Sequence, residues 1–268
     1  MTAPRARVLL AHWLLALQLA ALLPAAGAAA QTADPERRRS GFEDMGAATQ
    51  AMQKDDSQNP ALLWVQGGQA LWAREPGNGS KACVGCHAAA QSSMPGVAAR
   101  YPAFDVLLQR PVNLSHRINL CRERHQKASA WAPESEELLS LEAWLGHLSR
   151  GSPIAPPTDP RLAPFAARGE QLFNRRIGQL ALSCAQCHDQ NAGGRLGGSL
   201  IPQGHPTGYP AYRLEWQALG SLARRLRGCM TGVRAEPLTA FSTALVELEL
   251  HLARRAMGLA VETPAVRP

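Results

Sequence analysis

Two copies of Cys-x-x-Cys-His, one in each half of the sequence, constrain this chain more than any other feature. They read "CVGCH" from Cys83 to His87 and "CAQCH" from Cys184 to His188. Two residues between the cysteines let both thiols reach the vinyl groups of one porphyrin, and the histidine that follows then faces the iron. A lone copy would also suit a redox dithiol or part of a zinc site. Two copies, each preceded by a helical pattern, read as two covalent haem c sites. Cys83 and Cys86 tether the first, with His87 as iron ligand. Cys184 and Cys187 tether the second, with His188.

The motifs belong to a longer repeat. "GQALWAREPGNGSKACVGCH" (Gly68 to His87) aligns with "GEQLFNRRIGQLALSCAQCH" (Gly169 to His188), so Gly68 and Gly169 precede Cys83 and Cys184 by the same interval. Each copy continues to a Tyr-Pro-Ala turn, at Tyr101 and Tyr209, and then to a further cysteine at a matched interval, Cys121 and Cys229. Each closes on an amphipathic helical stretch, Glu134 to Arg150 and Ala240 to Ala256. Between the copies lies "GSPIAPPTDP", where helices must stop. Strand signals are almost absent. The expected fold is all-α, two tandem c-type cytochrome domains related by internal duplication. The expected boundaries are an extension over 31–60, a first domain over 61–151, a Pro-rich linker over 152–162 and a second domain over 163–260.

The stretch 1–30 reads as a secretory signal. Arg5 and Arg7 precede an apolar run from Val8 to about Leu23, and the alanines from Ala25 to Ala30 offer small-residue cleavage sites. No later segment has the length and apolarity of a membrane span. Export to the periplasm also suits covalent haem attachment. The formal net charge is +7, two units of it in the leader. The arginines are scattered or sit beside cysteines, with no basic tract and no aromatic series, which argues against nucleic-acid binding.

Each iron needs a ligand on its second face. Small electron-transfer cytochromes usually supply methionine. Met94, His116, His125 and His147 are candidates in the first copy, and His205, Met230 and His251 in the second. None recurs at an equivalent place. Cys121 and Cys229 do, and the other four cysteines are consumed by the haem tethers. His/Cys ligation of both irons is therefore the economical reading. A Cys121–Cys229 disulfide is the alternative in an oxidising compartment, and it leaves the matched offsets unexplained. Arg117 and Arg225 each lie four residues before their cysteine, one helical turn away on the same face. A cation there favours the thiolate and offers a forked cradle to an oxyanion. The alternative is that these arginines hold haem propionates or are simply solvated.

With "RSGFEDMGAATQAMQKDDSQNPALLWVQGG", "YPAFD", "RINLCRER" and "RLRGCMTGVRAEP" added, the sequence resembles the dihaem form of the SoxA family, the larger cytochrome subunit of SoxAX complexes. The resemblance covers nearly the whole mature chain. It implies L-cysteine S-thiosulfotransferase activity: oxidative attachment of thiosulfate to a cysteine of the carrier SoxYZ, with electrons passed on to a c-type cytochrome. It also implies a monohaem SoxX partner. Cys229 is then both iron ligand and catalytic cysteine, often a persulfide, and Arg225 contacts substrate. Charge alone does not choose between Cys121 and Cys229, because arginines flank both. The competing readings are a thiosulfate dehydrogenase forming tetrathionate and a plain dihaem electron carrier.

Two intact motifs make the haem count measurable. The processed protein should exceed its polypeptide mass by two haems, and Cys83→Ala with Cys86→Ala should remove one. A wild-type protein carrying a single haem would mark the first motif as vestigial.

Overall fold

The computed structural model describes residues 37–268; the expected leader lies outside the described residues. The first half runs through helices α1 (Ala47–Lys54), α2 (Leu62–Ala73), α3 (Val84–His87) and α4 (Ala90–Ser93). A hairpin of β1 (Ala103–Asp105) and β2 (Arg110–Val112) leads into α5 (Leu114–His125) and α6 (Glu136–His147). The second half follows a corresponding order: α7 (Ala163–Asn174), α8 (Cys184–His188), a minimal hairpin of β3 (Arg195–Leu196) and β4 (Ser199–Leu200), then β5 (Ala211–Arg213) and β6 (Ala218–Gly220). It ends with α9 (Leu222–Gly232), α10 (Thr243–Arg255) and β7 (Ala265–Arg267). Residues Arg38–Pro268 form one compact unit.

Helices dominate, yet all-α is too narrow a description. Three small sheets are present among the described residues, one of them three-stranded in the order β6-β5-β7. Strands of two or three residues are too short to display an alternating pattern in sequence. The strand β7 pairs parallel to β5 through Ala211↔Ala265 and lies beyond the repeat altogether. The two longer hairpins turn at equivalent points, through Gln109 and Gln217, with φ of 52° and 50°.

The repeated glycines explain the helix packing. A Cβ at Gly68 would stand 2.1 Å from the Ser140 carbonyl oxygen, and one at Gly169 would stand 2.0 Å from that of Glu247. So α2 crosses α6, and α7 crosses α10, with backbones in contact, which any larger residue would prevent. Around the first crossing lie Val65, Trp72, Leu138, Leu141 and Trp144. Around the second lie Phe173, Met230, Leu248 and Leu252. Each large apolar side chain so buried contributes roughly 1.5–3 kcal/mol. Tyr212, Leu219 and Val266 of the second half join the first cluster, and Trp64 meets Tyr212 at 6.0 Å between ring centroids. The halves share a core.

They also exchange hydrogen bonds. Asn113 caps α5 by accepting from the His116 amide, while its Nδ2 donates to Glu249 of the other half at 2.8 Å. Ser221 caps α9 by accepting from the Arg224 amide, and its own N–H and hydroxyl donate to Glu134 of the other half. Between them is a cavity of about 120 Å³ lined by Tyr101, Ser115, Glu142, Tyr209 and Glu249 among others. Burial holds the Glu142 carboxyl up at about 8 and that of Glu249 at about 7.

Those values exceed the unfolded carboxyl value of about 4.3, so the folded chain binds more protons across that interval. Stability from these groups is complete below about pH 4.5 and is lost as pH rises through 7 to 8. Urea unfolding at pH 5 and pH 8 measures the fall. Glu142→Gln, which keeps an acceptor for the Ser115 hydroxyl, should flatten it; an unchanged slope would assign the proton elsewhere.

Candidate functional site

One helical turn builds each Cys-x-x-Cys-His motif. In α8 the thiols of Cys184 and Cys187 stand three residues apart and His188 four from the first, so all three share a face. Ser183 starts this turn by accepting from the Gln186 amide at 3.2 Å, and Gln186 Oε1 accepts from the Ser183 amide at 2.9 Å. That reciprocal cap fixes so short a helix. The His188 ring is held at Nδ1, 2.7 Å from the Pro202 carbonyl. Gly204, with φ of 74°, lies against the ring, where a Cβ would come within 3.0 Å of Nδ1. In the first half α3 follows Cys83, and the His87 ring lies 5.7 Å from Trp72. Gln126 Nε2 reaches back to Lys81 O at 2.9 Å and to Cys83 Sγ at 3.9 Å.

The two remaining cysteines occupy the same register. Each lies eight residues after its N-cap, Cys121 after Asn113 on α5 and Cys229 after Ser221 on α9. Each faces its own motif. Cys121 stands in the electrostatic reach of Cys83 and Cys86, and Cys229 in that of Cys184. All six thiols are free. The disulfide alternative therefore has no support, because each sulfur turns toward its own half. Burial, with Cys229 nearby, pushes the Cys184 thiol up to about 11.

The charges around the pair differ. In the first half Asp105, almost fully buried, binds Arg117 at 2.7 Å and Arg124 at 2.8 Å. The fork of Arg124 and the backbone amides hold this carboxyl well below the usual range. Burial outweighs both arginines at Cys121 and raises its thiol, against the expectation that a nearby cation would favour the thiolate. Arg225 is half-buried and makes no ion pair with any carboxylate among the described residues. It lies in the electrostatic reach of His188 and Tyr209.

The other candidate ligands are engaged elsewhere. Met94 packs on the first core, and Met230 is buried against Phe173, Leu248 and Leu252. His116 stacks on Phe241, His147 on Trp144, and His251 lies against Phe173. Burial lowers His116 and His205 to about 4. His125 is exposed at the end of α5.

The SoxA/TsdA cytochrome c domain family matches the chain twice, over residues 67–154 and 168–261. The L-cysteine S-thiosulfotransferase subunit SoxA of Pseudaminobacter salicylatoxidans is 35% identical over 229 residues, spanning 85% of this chain and 80% of that one. Its counterpart in Rhodovulum sulfidophilum is 34% identical over the same shares. The chain belongs to the SoxA family. The crystal structure of SoxXA from P. pantotrophus agrees, with a TM-score of 0.81, 31% identity and coverage of 85% of this chain and 86% of that one.

A SoxA-family cytochrome c domain carries covalent haem c, and the residues of the second half fit it. A cleft of about 450 Å³ opens beside Cys184, lined by Leu172, Ile177, Met230, Leu238 and Leu248. Its size and largely apolar lining suit a cofactor, although Arg175, Arg234 and Glu236 also line it and, of the site residues, only Cys184 does. The hydrogen bond at His188 Nδ1 leaves Nε2 as the ligand nitrogen, an arrangement that orients a metal-binding imidazole. Sequence reasoning missed Pro202 and Gly204, which serve His188 from a loop beyond the β3–β4 hairpin and carry no motif of their own.

Ligation separates the two cysteines from the methionines. If Cys121 and Cys229 bind iron, ferric spectra should be low-spin and thiolate-like. Cys121→Met should alter one of two signals, and Met230→Leu neither. A methionine-to-iron band in the native protein, lost in Met230→Leu, would reassign the second site.

Proposed function

We propose that this chain is the dihaem subunit of a periplasmic SoxXA-type complex that joins thiosulfate oxidatively to a cysteine of a SoxYZ-type carrier. Two duplicated domains, over 61–151 and 163–260, each hold one haem c, with His87 and Cys121 as iron ligands in the first and His188 and Cys229 in the second. A monohaem SoxX-type cytochrome is the partner, and a c-type cytochrome takes the electrons. One observation carries the assignment of the site: Cys229 faces the second tether on the same helix face as Arg225, an arginine with no carboxylate on it.

That arrangement suits a dianion. Two unit charges 4 Å apart attract by about 4 kcal/mol at an effective dielectric of 20, enough to offset repulsion between a thiolate and thiosulfate. The Cys229 thiolate and the sulfane sulfur of thiosulfate form one S–S bond, and two electrons leave. Haem supplies the one-electron chemistry of that departure. The carrier thiolate then attacks the sulfur bearing the sulfonate. It leaves as the S-thiosulfonate, and Cys229 is returned as thiolate. Arg225 holds the dianion and steadies its charge as the sulfurs approach.

Turnover with thiosulfate, with and without a thiol-bearing carrier, tests the reading. Cys229→Ala and Cys229→Met should both abolish it, since neither side chain forms a disulfide. Arg225→Lys keeps charge without the fork, so it should fall between wild type and Arg225→Ala. A loss of about 2–4 kcal/mol at Ala corresponds to a roughly 30- to 1000-fold lower kcat/KM. Tetrathionate formed without carrier would favour thiosulfate dehydrogenase. Full activity in haem-loaded Cys229→Met would leave an electron carrier.

A further inference from the structure

The two cysteine helices have matching frames and opposite charges at one position of that frame. Four residues after the tyrosine of each Tyr-Pro-Ala turn, at the last residue of β1 and of β5, stand Asp105 and Arg213. The hairpins place them alike, since Asp105 pairs with Arg110 in one and Arg213 with Ala218 in the other.

In the first half Asp105 takes up Arg117 and Arg124, two of the three arginines near Cys121, and accepts from the amides of Leu107 and Leu108; the third, Arg122, donates to the Ser129 carbonyl. Arg117 also lies in the electrostatic reach of the Tyr101 hydroxyl. Every forked donor near Cys121 thus has an internal partner. In the second half no carboxylate stands at that position, although Glu215 binds Arg213 and Glu262 binds Arg267. The Tyr209 hydroxyl lies in the combined field of Arg225, Arg213 and Arg267, with Cys229 also in reach. Arg124 corresponds to Gly232, so the added cation comes from the hairpin and not from the helix. The guanidinium of Arg213 lies 5.1 Å from the Trp216 ring, and that of Arg224 lies 4.2 Å from it. The Nε of Arg213 is buried without a hydrogen-bond partner. Among the described residues its one ion pair is with Glu215 at 2.9 Å, on a carboxylate about half exposed to water, where such a pair contributes little.

We propose that this hairpin position decides which cysteine site accepts a small oxyanion: Asp105 closes the site at Cys121, and Arg213 opens the one at Cys229 by adding a second cation to Arg225. The proposal deepens the functional reading and rests on Cys229 being the reacting sulfur. Arg213 is a specificity-determining residue, and it acts on affinity for the dianion more than on bond formation. Glu215 competes with the anion for it.

The haem-loaded complex tests this through thiosulfate kinetics and sulfite titration. Arg213→Gln should raise KM for thiosulfate about 10- to 100-fold while kcat changes less than threefold, with a flatter dependence of kcat/KM on ionic strength. Arg213→Lys should recover most of the loss. Glu215→Gln should lower KM two- to fivefold, which a purely structural ion pair would not do. An unchanged KM in Arg213→Gln, or a raised KM in Glu215→Gln, overturns the proposal. Asp105→Asn frees Arg117, so sulfite should perturb the spectrum of the first haem in that variant and not in wild type. No perturbation in a folded, haem-loaded Asp105→Asn overturns the closing role. The Arg213 series needs no folding of that variant. Turnover retained in Cys229→Met would sink the functional reading instead, whereas the KM pattern is read separately by the Arg213 and Glu215 variants.

Discussion

Backbone contact at two helix crossings governs the rest of this structure. At Gly68 and Gly169 the missing side chain lets one helix lie directly on the carbonyl ridge of another. Each of these helices ends five residues after its glycine, at Ala73 and Asn174, and the Cys-x-x-Cys-His motif follows one loop later. The same contact aligns Ser140 with Glu247, and therefore Glu142 with Glu249. Two carboxylates thus reach one internal cavity from equivalent places. Interiors are packed densely enough that such a contact is not approximated by a larger residue with local adjustment.

On that shared frame, small substitutions set the chemistry of each half. Cys121 and Cys229 have the same distance from a helix cap and the same relation to a tether, and each has an arginine one turn back. What differs is the partner of that arginine. A buried carboxylate between two guanidinium groups is internally satisfied, and removing one member would leave costly unpaired charge. Such a site gains nothing by admitting another anion. Arg225 has the opposite balance: among the described residues no carboxylate binds it, and its half-buried guanidinium is left with donors to offer an anion. The placing of acids, more than the number of arginines, distinguishes the two thiols.

Much of this was legible in the sequence because it depends on spacing. The tethers, the glycines at a fixed interval before them and the cysteines at a fixed interval after the tyrosines are local landmarks, and the structure sets each cysteine beside its own motif. The difference between the surroundings of the two cysteines was not legible from nearby charge. Asp105 approaches Arg117 and Arg124 through a hairpin turn and the first turns of α5, although the aligned "YPAFD" and "YPAYR" do carry the difference. The sheets escaped notice because their strands are two or three residues long, and β7 pairs with a strand that precedes it by two helices and a hairpin turn. The stretch "LVELEL" in α10 alternates as a strand would. It is helical and buried on nearly all sides, and its acids are matched individually, Glu247 to Arg168 and Glu249 to Asn113.

The same acids explain why two halves with separate tethers make one unit. Each cysteine-bearing helix begins at a cap whose side chain is held by a glutamate from the opposite half, Asn113 by Glu249 and Ser221 by Glu134. Glu134 takes a left-handed backbone, φ 65°, to reach its partner, a conformation that costs a non-glycine residue roughly 1–2 kcal/mol. A hydrogen bond contributes about 1 kcal/mol net, somewhat more where one partner is charged, so neither glutamate contact would hold the halves together alone. Their reciprocity matters more than their strength. Displacing either half would strip the capping side chain of the other's sulfur-bearing helix of its glutamate and expose the core that Tyr212 and Val266 share with α2 and α6. The position of each sulfur is therefore a property of the whole unit, even though the residues that tune its charge lie within its own half.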